Sequence, residues 1–178
     1  MDGGTDIRNR VNESRGLLKK IQLLVPGFRG YRQLEDLRVA DELLRRQVAS
    51  LLQSGESSIR SARSAIAARG DYGSLQPVAS LLSKLQLLEG EIIHAEQGYS
   101  GISPAIRMDQ SKLESLYDYD YAFISSASKF SSDVAAFPLS SLTGNELVAR
   151  ITLLSGEVDE IKGKWNARMT AVENIKVV

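Results

Sequence analysis

Apolar residues recur through Leu37, Ala40, Leu44, Val48, Leu51, Gly55, Ile59, Ala62 and Ile66 without a slip of phase. The mean step is about 3.6 residues, the period of a straight α-helix. If Ser54-Gly55-Glu56 formed a loop, nothing would hold the two halves of this run in register. The phase therefore predicts one helix from about 31 to 69, roughly 58 Å long at 1.5 Å per residue. Glycine at 55 weakens such a helix by up to about 1 kcal/mol, which leaves a bend there as the alternative. Gly70-Asp71-Tyr72-Gly73 ends the run.

Four further segments carry helical spacing. The first, about 5–25, aligns Ile7, Val11, Leu18, Ile21 and Val25, and Pro26-Gly27 stops it. The third, about 75–98, aligns Leu75, Val78, Leu82, Leu85, Leu88, Ile92, Ala95 and Tyr99. Its mean step of about 3.4 residues favours shallow left-handed crossing with a neighbour. The fourth, about 110–137, opens on a capping-box pattern, Ser111-Lys112-Leu113-Glu114. It aligns Leu116, Tyr119, Phe123, Ala127, Phe130, Val134 and Phe137 before Pro138. The fifth, about 144–176, opens on Thr143-Gly144-Asn145-Glu146 and aligns Leu147, Ile151, Leu154, Val158, Ile161, Trp165, Met169 and Val172. No segment shows strand alternation. The expected fold is all-α: one domain over 1–178, an elongated and mostly antiparallel bundle of about five helices.

Two glycines fall inside helical runs, Gly90 after Leu87-Leu88 and Gly156 after Leu153-Leu154. Glycine in a helix interior usually has a reason. The two predict a close crossing of the third and fifth helices.

Composition narrows the chemistry. The chain has no Cys, which excludes disulfides, thiolate catalysis and Cys-ligated zinc, and fits a reducing cytoplasm. Hydrophobic content of 43% with 25% charged residues argues for a packed core over disorder. No apolar run approaches the roughly 18 residues of a spanning helix, and the N-terminal stretch lacks the apolar core of a signal peptide. The expectation is a soluble, cytoplasmic protein. Charge is uneven although it sums to zero. Residues 1–32 carry +4 and residues 70–138 carry −5. Arg8, Arg15, Lys19, Arg29 and Arg32 form a candidate basic face for phosphate or anionic lipid; the other reading is packing beside the acidic middle.

The motifs give little chemistry. Glu91-Ile92-Ile93-His94 has Glu-x-x-His spacing, but a helical di-iron site needs two such pairs and this chain has one His. No metal and no cofactor are expected. Ser126-Ala127-Ser128-Lys129 matches a Ser-x-x-Lys nucleophile pattern without the elements that accompany it. Tyr117-Asp118-Tyr119-Asp120-Tyr121 is the most unusual run. On a helix Tyr117 and Tyr121 stack at i, i+4 while Tyr119 joins the core line. Tyr117, Asp118, Asp120 and Tyr121 are then a candidate interaction patch, since Tyr offers rigid area with a polar tip. The alternative is a wet core edge.

Pro26-Gly27-Phe28-Arg29-Gly30-Tyr31-Arg32 leads into Ala40-Asp41-Glu42-Leu43-Leu44-Arg45. With Tyr99-Ser100-Gly101, Asp109 and Leu113-Glu114-Ser115-Leu116-Tyr117-Asp118-Tyr119-Asp120, it resembles a group of small all-helical prokaryotic proteins. The resemblance covers about residues 24–124 and implies no activity and no site residues. It implies that the 26–32 turn, the 98–104 loop and the Tyr/Asp run serve a common purpose.

The function expected from these features is non-enzymatic: an adaptor or scaffold that binds an unidentified protein partner and self-associates. Apolar stripe at the ends of so long a helix needs cover. The alternative is nucleic-acid or membrane-surface binding through the basic first helix.

Overall fold

A computed structural model of the chain describes residues 3–31, 34–95 and 110–176. Five α-helices make up almost all of it: α1 Gly3–Leu24, α2 Leu34–Ala68, α3 Leu75–His94, α4 Gln110–Ala136 and α5 Gly144–Lys176. The fold is an all-α bundle whose helices pack on one another. None of the described helices is long and apolar enough to cross a membrane.

Punctuation follows the sequence. α1 stops at Pro26-Gly27, where Gly27 takes φ 85°. α2 closes with a Schellman turn: Asp71 N–H donates to Ile66 O at 3.2 Å, Gly70 N–H to Ala67 O at 3.0 Å, and Gly70 takes φ 82°. Asp71 then caps the short turn into α3 by accepting from Ser74 N–H and Ser74 Oγ. α3 ends at His94, four residues before the expected limit, because Ala95 turns to ψ 135°; Tyr99 lies outside the described residues. α4 already runs at Gln110, one residue ahead of the serine read as its cap, and the Ser111 side chain lies outside the described residues.

α2 is continuous through Gly55, as its apolar phase requires. Ile59 and Leu44 on the stripe are fully buried. A Cβ at position 55 would lie 2.6 Å from Phe130 Cε1 of α4. Gly55 therefore lets α2 and α4 approach. The expected crossing at Gly90 and Gly156 is not formed: a Cβ on either would meet nothing within 4 Å. In each Leu-Leu pair one residue enters the core, Leu88 and Leu154, while Leu87 (62% exposed) and Leu153 (61%) face out. Each glycine lies three residues after the outward leucine and shares its face.

The chain groups into two compact units, with boundaries inside α2, α4 and α5. One comprises residues 1–47, 96–125 and 164–178; the other comprises 48–95 and 126–163. In the second unit, contacts give the direction of each pair. Gln53 bonds Glu89 and Glu56 bonds Gln86, so α2 and α3 run antiparallel. Lys84 meets Asp159 and Glu91 meets Lys162, so α3 and α5 run parallel. Lys129 meets Glu157 while Arg150 reaches Asp133 O, so α4 and α5 run antiparallel. Arg69 donates to Ser140 O at 2.7 Å and Leu142 O at 2.5 Å, which places the end of α2 beside the end of α4 and makes them parallel. Phe137, expected on the core stripe, is 61% exposed and lies under Arg150 at 5.1 Å. α4 ends at Ala136, so Phe137 stands at its exit, although its N–H still bonds Asp133 O at 3.2 Å.

Two glycine substitutions separate these roles. Gly55→Ala is expected to destabilise by about 1–3 kcal/mol, because Phe130 is fully buried and has no room to yield. Gly90→Ala and Gly156→Ala are each expected to stabilise by up to about 1 kcal/mol. Urea unfolding of the three variants reads the signs.

Candidate functional site

The most chemically elaborate constellation is in the first unit, where two acids and two arginines are buried together. α2 contributes Asp41 and Arg45, α4 contributes Asp120, and α5 contributes Arg168. Asp120 and Arg168 are both 0% exposed. Arg168 Nε donates to Asp120 Oδ1 at 2.7 Å, and its Nη1 lies 2.7 Å from Asp41 Oδ1. Asp41 Oδ2 meets Arg45 Nη2 at 2.8 Å, one helical turn on. The second oxygen of Asp120 accepts from the Tyr31 hydroxyl. Two carboxylates and two guanidiniums make the cluster neutral.

The α1–α2 turn holds that tyrosine in place. Tyr31 stacks on Tyr117 with ring centroids 4.9 Å apart and meets Phe28 edge-on at 5.6 Å. Tyr31 N–H donates to the Tyr117 hydroxyl at 2.9 Å. Gly30 takes φ 88°, and a Cβ there would sit 2.8 Å from the same hydroxyl. Glycine is required at 30 on both counts.

Burial pushes the Asp120 carboxyl above its ordinary value; the Arg168 guanidinium and the Tyr31 hydroxyl pull it part of the way back. Charges this deep are costly to desolvate and are kept by their partners. With Arg168 ionised at any accessible pH, the arrangement can hold a fixed geometry.

The Tyr/Asp run does not form a single patch. Tyr117 and Asp120 turn inward, Asp118 is exposed and Tyr121 is half-buried, with Lys20 Nζ 5.3 Å from its ring centre. Tyr119, expected in the core, is 39% exposed. Tyr117 stacks on Tyr31 and not on Tyr121. The helix is rotated so that Asp120 takes the inward position, because Arg168 waits there. On the basic side, Arg15 and Lys19 of α1 are exposed one turn apart, and Arg29 is exposed in the turn. Arg32 and the Arg8 side chain lie outside the described residues.

The other motifs are absorbed locally in the second unit. Glu91 accepts from Lys162 at 2.9 Å, and His94 is exposed. Among the described residues no group of three or more His, Cys, Asp or Glu is placed to hold a metal ion. Lys129 meets Asp133 at 2.7 Å and Glu157 at 2.5 Å, and these carboxylates push its ammonium up to about 12. A lysine held protonated cannot serve as the base of a Ser-x-x-Lys pair. Lys129 lowers Asp133, while burial raises Glu157. Gly156 lines a surface groove with Lys84, Ser155 and Asp159, whose polar groups bond one another.

Apolar periodicity does not single out Arg168, Asp41 or Arg45. The available signal was spacing: Ile161, Trp165, Arg168 and Val172 fit a helical stripe as well as the same run through Met169. Comparisons with protein-family models, with curated proteins and with solved structures find no match for this chain.

Removing Asp120 leaves Arg168 under-neutralised in the core. Asp120→Ala is expected to cost about 3–5 kcal/mol. The double variant Asp120→Leu/Arg168→Met is expected to cost less than Asp120→Ala alone, since it removes both charges; a denaturation double-mutant cycle measures this.

A raised lysine value means stability that is full below 10.5 and lost as pH rises through about 12. The stability advantage of wild type over Lys129→Met should therefore hold from neutral pH to 10.5 and shrink through about 12 in chemical-denaturation series.

Proposed function

We propose that this protein acts without catalysis, as a cytoplasmic helical adaptor or scaffold that works through protein–protein contacts and self-association. One observation carries the reading. The residues with the greatest chemical capability, Asp41, Arg45, Asp120 and Arg168, are buried and turned on one another. Their work is to fix the packing of the first unit. Among the described residues the surface also presents large apolar side chains: Leu23, Val39, Leu87 and Leu153 stand exposed, and apolar area of this kind serves recognition.

A second reading has its own support. Arg15 and Lys19 lie side by side on α1 and make no ion pair with the described residues, so a nucleic acid or an anionic membrane surface would find cations there.

Light scattering over a concentration series tests the first reading. The expected result is a mass above the 19.5 kDa of one chain, rising with concentration. A single-chain mass throughout, combined with binding to DNA or anionic vesicles that weakens steeply with salt, would favour the second reading.

A further inference from the structure

Within the first unit, two helix faces of opposite sign stand open. On α1, Arg15, Lys19 and Leu23 follow one another at i, i+4, i+8, on the side away from buried Ile21 and Val25. Leu23 is 86% exposed, more than any other large apolar side chain among the described residues. On α4, Asp118 points away from buried Leu116, Asp120 and Phe123, with the exposed ring of Tyr119 next to it in the chain. Arg15, Lys19 and Asp118 make no ion pair with the described residues. Each face thus joins charge to apolar area: cations with a leucine on α1, the Asp118 carboxylate with a tyrosine on α4.

We infer that a second copy of this chain docks its α4 face, Asp118 with Tyr119, on the α1 face, Arg15, Lys19 and Leu23. The inference rests on the self-association reading and names its surface. Complementarity selects the occupant. A nucleic acid would take the cations but gain nothing from Leu23 and leave the α4 face unused. An anionic membrane would take the cations and Leu23 and leave the α4 face unused. A second copy uses both faces, in equal number by construction. The two faces differ, so the contact is heterologous: each docked copy still presents one face of each kind, and association proceeds past the dimer unless a ring closes.

Charge exchange tests this in sedimentation velocity. Wild type should associate at low salt and less at high salt. Arg15→Glu/Lys19→Glu and, separately, Asp118→Lys should each weaken association roughly tenfold or more. These are surface changes, and circular dichroism should show both variants fully helical. An equimolar mixture of the two should associate again, because an acidic α1 then meets a basic α4. Association of both variants at wild-type strength, or no recovery on mixing, would overturn this surface and leave self-association standing through another one. A wild type monomeric at every concentration would overturn both readings. Wild-type binding to phosphatidylserine vesicles or duplex DNA without self-association, lost in Arg15→Glu/Lys19→Glu, would reassign the α1 face to that partner.

Discussion

A single guanidinium organises the first unit. Arg168 is carried into the core at zero exposure, and three elements are arranged to receive it: α2 through Asp41, α4 through Asp120, and the α1–α2 turn through the Tyr31 hydroxyl on the second Asp120 oxygen. The aromatic stack of Tyr31 on Tyr117 and the absence of a side chain at Gly30 follow from the same demand, since both bring the turn close enough for that hydroxyl to arrive. Such a cluster is a poor source of net stability, because the desolvation of four charges offsets most of their attraction. Its contribution is selectivity. A helix rotated by one position, or slid by one turn, would leave a buried charge unpaired at a cost of several kcal/mol. An apolar core would tolerate the same shift much better.

The second unit solves its packing by other means. Its core is apolar, and Gly55 allows α2 to pass close to Phe130 of α4. Its polar contacts lie at the margins: Lys84 with Asp159, Lys162 with Glu91, and Lys129 shared between Asp133 and Glu157. Exposed pairs of this kind contribute little individually, and they set register at the helix edges. The helices α2, α4 and α5 each serve both units, so one sequence stripe faces a charged core along part of its length and an apolar core along the rest.

The helices were legible in the sequence because their evidence is periodic and repeated. The unbroken phase from Leu37 to Ile66 outweighed the weakness of Gly55, and the starts of α3, α4 and α5 match their sequence limits to within a residue. The charged core was not legible, for a specific reason. Leu116 to Phe123 can be bridged by Tyr119 or by Asp120, and Trp165 to Val172 by Met169 or by Arg168. Both bridges obey helical spacing, and apolarity alone picks Tyr119 and Met169. The true choices justify each other across two helices, which a reading of one helix at a time does not weigh. The glycines failed the other way. Gly90 and Gly156 sit in apolar surroundings along the chain, but the neighbour that shares their face is the outward leucine, so the space beside them is open. Surface partners are written more faintly still, because charge and exposure define a face without naming its occupant.

Arg168 lies inside the core with its Nε–H held by Asp120. Proton exchange at that Nε–H, followed by NMR beside that of exposed Arg63, tests it directly. The account predicts that the Arg168 proton is protected to the level of the slowest backbone amides of α4 and α5, exchanging only when the first unit opens. Exchange as fast as at Arg63 would place the guanidinium in water and contradict the account.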